Sequence, residues 1–95
     1  MTLEFTASAR EHFLAIVAGI HADNPSAARG FRERAELALR ELERFPESGR
    51  HIPEFLGLPH RELIVSPYRF FYRVVGSSVW IIGVWHSKQL PEPPH

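Results

Sequence analysis

The sequence predicts an α+β domain: a short leading strand, then an antiparallel helical hairpin, then a three-stranded antiparallel meander that the hairpin covers on one face. Three observations predict it. Apolar residues recur at steps of three and four through the first half of the chain, while aromatic and β-branched runs bounded by turn residues fill the second half. The chain has 95 residues, enough for one core and too few for two, because independent domains cluster near about 100 to 150 residues. Residues 1–90 are therefore taken as one domain and 91–95 as a Pro-rich tail.

Leu3 and Phe5 alternate with polar neighbours, which is the period of a strand. Thr6 or Ser8 is placed to cap a first helix, and Ser8 with Glu11 has the capping-box spacing, in which each side chain satisfies the other's free backbone N–H. Phe13, Ile16, Val17 and Ile20 then share one helical face, with Gly19 near the end and His21 to Asp23 marking the stop. Asn24-Pro25 starts a second helix, since Asn caps well and Pro at the first helical position lacks an N–H that would be unpaired anyway. Ala28, Phe31, Ala35, Ala38, Leu42 and Phe45 form its apolar seam, and the short connection makes the two helices an antiparallel hairpin. The opposite face interleaves Arg and Glu, the pattern of a solvated surface rather than a nucleic-acid stripe.

Pro46 ends the second helix, and the Pro- and Gly-containing stretch to Pro59 is expected as a surface loop. Leu63 to Val65, Tyr68 to Val75 and Val79 to Trp85 are the meander strands, separated by Ser66-Pro67 and Gly76-Ser77. Alternation puts Tyr68, Phe70, Tyr72 and Val74 on one face of the middle strand and Arg69, Phe71, Arg73 and Val75 on the other. If the first set meets the helices, the second is expected to hold guanidiniums out toward solvent or a partner. Parity places Trp80 and Trp85 on opposite faces, where packing is their commoner use and base stacking the rarer one. Leu90 to His95 is expected as an extended tail.

Lys plus Arg and Asp plus Glu both total 11, so no diffuse positive charge holds a polyanion. There is no cysteine, hence no disulfide, thiolate zinc site or cysteine nucleophile. No apolar run approaches the roughly 18 residues of a spanning helix, and a cytoplasmic protein is expected. The six histidines lie apart, and no P-loop, G-x-G-x-x-G or G-x-S-x-G occurs, so neither metal nor cofactor is expected. What remains is Arg61, Arg69, Arg73 and His86 on or beside the sheet, with Glu54 ahead of it. Such groups can serve phosphodiester transfer in RNA, the carboxylate or imidazole moving protons and Arg stabilising charge on phosphorus. Pairing with carboxylates is the more ordinary use of the same arginines.

The run Arg61-Glu62-Leu63, Val65, Tyr68-Arg69, Tyr72-Arg73-Val74, a hairpin, and a strand ending Val84-Trp85-His86 resembles the RelE/ParE superfamily of type II toxins. Phe45-Pro46, Gly49-Arg50 and Pro53-Glu54 resemble its ParE branch, and the similarity spans residues 2–90. The resemblance implies a toxin neutralised by a co-encoded antitoxin, in an assembly that can be of higher order, with acidic antitoxin residues meeting Arg61, Arg69 and Arg73. It also implies one of two activities. ParE-like members bind DNA gyrase without hydrolysis, whereas RelE-like members cleave messenger RNA on the ribosome. Lys88 is the only lysine, so the lysine cluster of RelE-like members is absent. A second nuclease pattern of Glu, Arg, His and Tyr is matched by Glu54, Arg69 and His86, with Ser87 where Tyr would stand. The ParE-like, non-hydrolytic activity is the preferred expectation; its alternatives are the nuclease and a degenerate, non-toxic member that only binds antitoxin. Both activities expect the arginines to face outward.

Overall fold

Strand β1 (Thr2–Phe5) leads into helix α1 (Ala7–Asp23) and, after a single residue, helix α2 (Pro25–Arg44), in a computed structural model that describes residues 1–94. Strands β2 (Arg50–His51), β3 (Arg61–Val65), β4 (Tyr68–Val75) and β5 (Ser78–His86) come after the helices. They form one sheet in the order β1-β5-β4-β3-β2, with β1 parallel to β5 and the other neighbours antiparallel. The predicted meander is its centre, and the added strands lie at its two edges.

The helix ends differ from expectation in detail. Thr6, not Ser8, caps α1, its Oγ1 accepting from Ala9 N at 3.2 Å, so Ser8 and Glu11 lie inside the helix and form no capping box. The helix also continues through His21 to Asp23. Asn24 serves both helices: its backbone N–H donates to Ile20 O at 2.8 Å, and its Oδ1 accepts from Ala27 N at 3.1 Å. One residue thus satisfies groups that each helix end leaves open.

Helix α2 buries Ala28, Phe31, Ala35, Leu39 and Leu42. Leu39, four residues after Ala35, is buried where the seam expected Ala38, which is only partly buried, and Phe45 lies beyond the last turn, half exposed, with the Arg44 guanidinium 5.2 Å from its ring. Phe31, Ala35, Leu39 and Leu42 share a core with Phe70 and Tyr72 of β4 and Val79, Ile81 and Val84 of β5. Phe13 of α1 joins the layers, its ring centroid 5.8 Å from both Phe5 and Phe70 and 6.1 Å from Phe31. Each such aromatic pair adds about 0.5 to 1.5 kcal/mol beyond the area it buries.

Two sheet features overturn simple alternation. The β4–β5 ladder pairs Phe71 with Gly83 but Tyr72 with Ile81, leaving Ile82 as an extra residue. Buried positions on β5 accordingly switch from Val79 and Ile81 to Val84. Trp80 pairs with Arg73 and Trp85 with Arg69, so both tryptophans share the sheet face of those arginines rather than taking opposite faces. The Trp85 ring nonetheless lies 6.4 Å from that of His12 in α1. Second, the stretch from Pro46 to Pro59 is more than a surface loop. It contributes β2, a 3₁₀ turn at Pro53–Phe55, and Ile52, which is fully buried. Tyr72 holds its start, the phenol donating to Pro46 O at 2.7 Å and accepting from Gly49 N at 3.0 Å. Glycine is required at position 49, because a Cβ there would lie 2.5 Å from the Glu62 carbonyl oxygen and 2.6 Å from the Tyr72 hydroxyl.

The tail does not simply extend away. Pro91 is buried, and Gln89, Glu92, Pro93 and Pro94 border a cleft of about 560 Å³ together with Phe71, Gly83, Trp85 and His12. His95, the last residue of the expected tail, lies outside the described residues.

Candidate functional site

Arg69 is on the face of β4 turned from the helices, as alternation requires, yet it is 7% exposed. Its Nε donates to Glu62 Oε1 at 2.7 Å, while Nη1 and Nη2 donate to the two oxygens of Glu54 at 2.8 and 2.6 Å. The guanidinium also lies 5.1 Å from the Phe71 ring centroid. Glu62 has no side-chain exposure and accepts a second bond from Arg50 Nε. Two cations and two anions therefore alternate along Arg50, Glu62, Arg69 and Glu54. Forked Arg–carboxylate bonding of this kind is among the stronger charge-assisted arrangements. The outward-facing Arg69 expected from sequence is corrected: the turn at Pro53–Phe55 carries Glu54 over it, and the β3–β4 register sets Glu62 beside it.

The nuclease trio is not assembled. His86 pairs with Tyr68 in the ladder, and their rings meet edge-on at 5.3 Å. Tyr68 in turn packs 5.2 Å from Phe31 of α2, which places His86 on the helix side of the sheet and Arg69 with Glu54 on the other. The His86 Nδ1 accepts from Lys88 N at 3.1 Å. Hydrogen bonds from Arg69 hold the Glu54 carboxyl down to about 2, against the raising effect of its burial. A carboxylate of that strength is a poor proton acceptor near neutral pH. Arg69 is correspondingly held protonated by Glu54, and secondarily by Glu62, with burial opposing.

Arg61 and Arg73 are brought together elsewhere. They line a cleft of about 330 Å³ at the other end of β3 and β4, with Glu47, His51, Pro59, Tyr72 and Val74. Arg61 Nη1 donates to Gly49 O at 2.8 Å. Burial raises the Tyr72 phenol above its ordinary value, partly offset by the Gly49 hydrogen bond and the positive charge of Arg61, with Glu47 adding to the rise. The three arginines grouped from the sequence are thus divided, one sealed in an ion cluster and two sharing a cleft.

The profile of the ParE toxin of type II toxin–antitoxin systems (parDE) matches residues 3–91. The chain belongs to the ParE toxin family. A solved structure described as the chromosomal ParDE TA system from P. aeruginosa superimposes with a TM-score of 0.72 at 20% identity, covering 90% of this chain and 95% of that one, and so shares its fold. No curated protein sequence matches the chain.

In this ParE-family chain the residues that sequence inspection passed over are Glu62 and Arg50, which complete the ion cluster, and Tyr72 as the anchor of the 46–49 turn. A signal for Glu62 was present. A two-residue turn at Ser66-Pro67 sets Ile64 opposite Arg69 and Glu62 opposite Phe71, one step along the same face. No local pattern marks the reach of Glu54, because its position depends on the two-residue strand β2. Among the described residues, no helix of this toxin-family chain is long and apolar enough to cross a membrane.

Proposed function

We propose that the chain is a cytoplasmic growth-inhibiting toxin that acts by binding a protein target, DNA gyrase, without hydrolysing nucleic acid, and that a co-encoded antitoxin neutralises it. The observation that carries the non-hydrolytic part is the separation of His86 from Glu54 and Arg69 across the sheet, together with the capture of both Glu54 oxygens by Arg69. A general base must reach its proton and must want it, and Glu54 is strongly acidic while His86 lies on the far side. Family membership over residues 3–91 supports the toxin role. Within the antitoxin interface, Arg61 and Arg73 are the arginines available to acidic residues, and Arg69 acts inside the fold instead.

Inducible expression of the full chain tests this. Growth should stop, the DNA-damage response should rise, and purified protein should stabilise gyrase–DNA cleavage complexes, while primer extension finds no new messenger RNA ends. Co-expression of the adjacent short open reading frame should restore growth. New message ends at the ribosomal A site that vanish in Arg69→Ala or His86→Ala variants retaining the folded state would establish the nuclease instead. Undiminished growth with abundant folded protein would remove the toxic activity altogether.

A further inference from the structure

Strand β5 has a strand on each side for only half its length. β1 pairs with residues 78–81, and Thr6 N donates to Ile81 O at 3.0 Å where the chain turns into α1. Over residues 82–86, β5 pairs with β4 alone. His86 gives its backbone groups to Gln89 on the free side: its N–H donates to Gln89 Oε1 at 2.7 Å, and its carbonyl accepts from Gln89 N at 2.9 Å. Alternation aims the N–H and C=O of Val84, two residues earlier, the same way. No backbone hydrogen bond from α1 or from the described tail residues reaches Val84. Helix α1 does not close on this edge, since the cleft of about 560 Å³ has Ser8 and His12 on one wall and Gly83, Val84 and Trp85 on another.

An open edge of this composition is a template for a further strand. Residues 79–85 hold neither a charge nor a proline, and the net charge of the chain is zero, so no long-range repulsion keeps two copies apart. The tail lies where such a strand would enter. Gln89 clasps it to His86, Pro91 is buried, and Glu92, Pro93 and Pro94 line the cleft. Pro91, Pro93 and Pro94 have no N–H to donate, so the tail covers the edge without building a strand that exposes an edge of its own.

We infer that residues 89–94 guard the β5 edge, and that the edge beneath them, residues 82–86, is a pairing surface for a second copy of this chain, set antiparallel about a two-fold axis. Two copies joined there exchange backbone hydrogen bonds at Val84 and His86 once Gln89 has released the latter. Tail and second copy exclude each other, because both need the same backbone groups of His86. The inference goes beyond the proposed toxin activity and does not depend on it.

The test compares full-length wild type with the full-length double variant Gln89→Ala/Pro91→Gly, which removes the clasp and the buried ring. In sedimentation equilibrium across the micromolar to millimolar range, the wild type should stay monomeric and the variant should dimerise. Its dissociation constant should lie about tenfold or more below any wild-type value, the step expected when the edge gains a few hydrogen bonds. Hydrogen exchange at the Val84 amide should slow as the variant is concentrated, and should not respond to concentration in the wild type. Ile82 borders the cleft and is partly buried, so adding Ile82→Lys sets like charges from the two copies beside the paired edge and should return the variant to monomer. A double variant that remains monomeric at millimolar concentration, a dimer indifferent to Ile82→Lys, or Val84 exchange independent of concentration would each overturn the inference. So would a wild type that dimerises as readily as the variant. Should the double variant misfold, Gln89→Ala decides alone, because it alters an exposed side chain: self-association above the wild-type level upholds the guard, and its absence removes it.

Discussion

Arg69 and Arg73 stand four residues apart on the same strand and the same face, yet one is enclosed by two carboxylates and the other meets none. Nothing in their side chains makes the difference. It lies in what the 46–59 segment brings up: Glu54 over Arg69 at one end, and the half-open wall of Pro59, His51 and Glu47 beside Arg73 at the other. An arginine with satisfied donors holds a fold together, whereas one with open donors is available to a partner. Strand alternation thus tells which side an arginine takes and leaves its role to elements far away in sequence.

The sharpest way to break this contrast is Arg69→Met. It strands the fully buried Glu62 with only Arg50 and releases Glu54, and should cost about 3 to 5 kcal/mol in urea unfolding, as breaking one side of a buried ion pair does. Gly49→Ala should come next, at about 2 to 3 kcal/mol by the same measurement, because the new methyl meets backbone at Glu62 and the Tyr72 ring, neither free to retreat. Tyr72→Phe keeps the ring and deletes the hydroxyl that joins Pro46 O and Gly49 N. A loss of about 1 to 2 kcal/mol is expected, with faster amide exchange at Gly49.

Acidification probes the Glu54–Arg69 pair more gently. In the folded chain Glu54 gives up its proton at about 2 rather than 4.5, so between those values the unfolded chain binds the proton and the folded chain does not. The pair's contribution is therefore complete above about pH 4.5 and is lost as pH falls toward 2. Glu54→Gln should flatten that part of the stability profile. The amplitude should be smaller than the effect of Arg69→Met, because a side chain 36% exposed is partly screened by water. Least of all should be Arg73→Gln, which removes a charge with no intramolecular partner and should leave stability within about 0.5 kcal/mol. If Arg73→Gln proved as damaging as Arg69→Met, the two arginines would not have the different roles assigned to them.

Much of the architecture was legible because it is written at short range. The 3.6-residue spacing in α1 and α2, Asn24-Pro25 between them, and the two-residue turns at Ser66-Pro67 and Gly76-Ser77 are local signals, and each stands where expected. The ion cluster was half legible, since Glu62 follows from the register of one hairpin while Glu54 needs the placement of β2, whose two residues leave no periodicity to detect. The misplacement of Trp85 has a different origin. Alternation counts residues, and the ladder skips one at Ile82 that no residue type announces. Phe45 was assigned to the core because its spacing fitted the helix, although the helix had ended one residue before it.

That skipped residue also makes β5 a strand with two reading frames. Its first half is in phase with β1, and its second half shifts by one position to serve Phe70. A ladder that took Ile82 in as an ordinary paired residue would keep every amino acid yet turn the outer half inside out, driving Trp85 into the core and sending Val84 to the surface. Deleting Ile82 would instead leave a regular strand with both side chains on their present faces. The segment can therefore bear many exchanges of one apolar residue for another, and the loss of its extra residue, but not a pairing that absorbs that residue into the ladder.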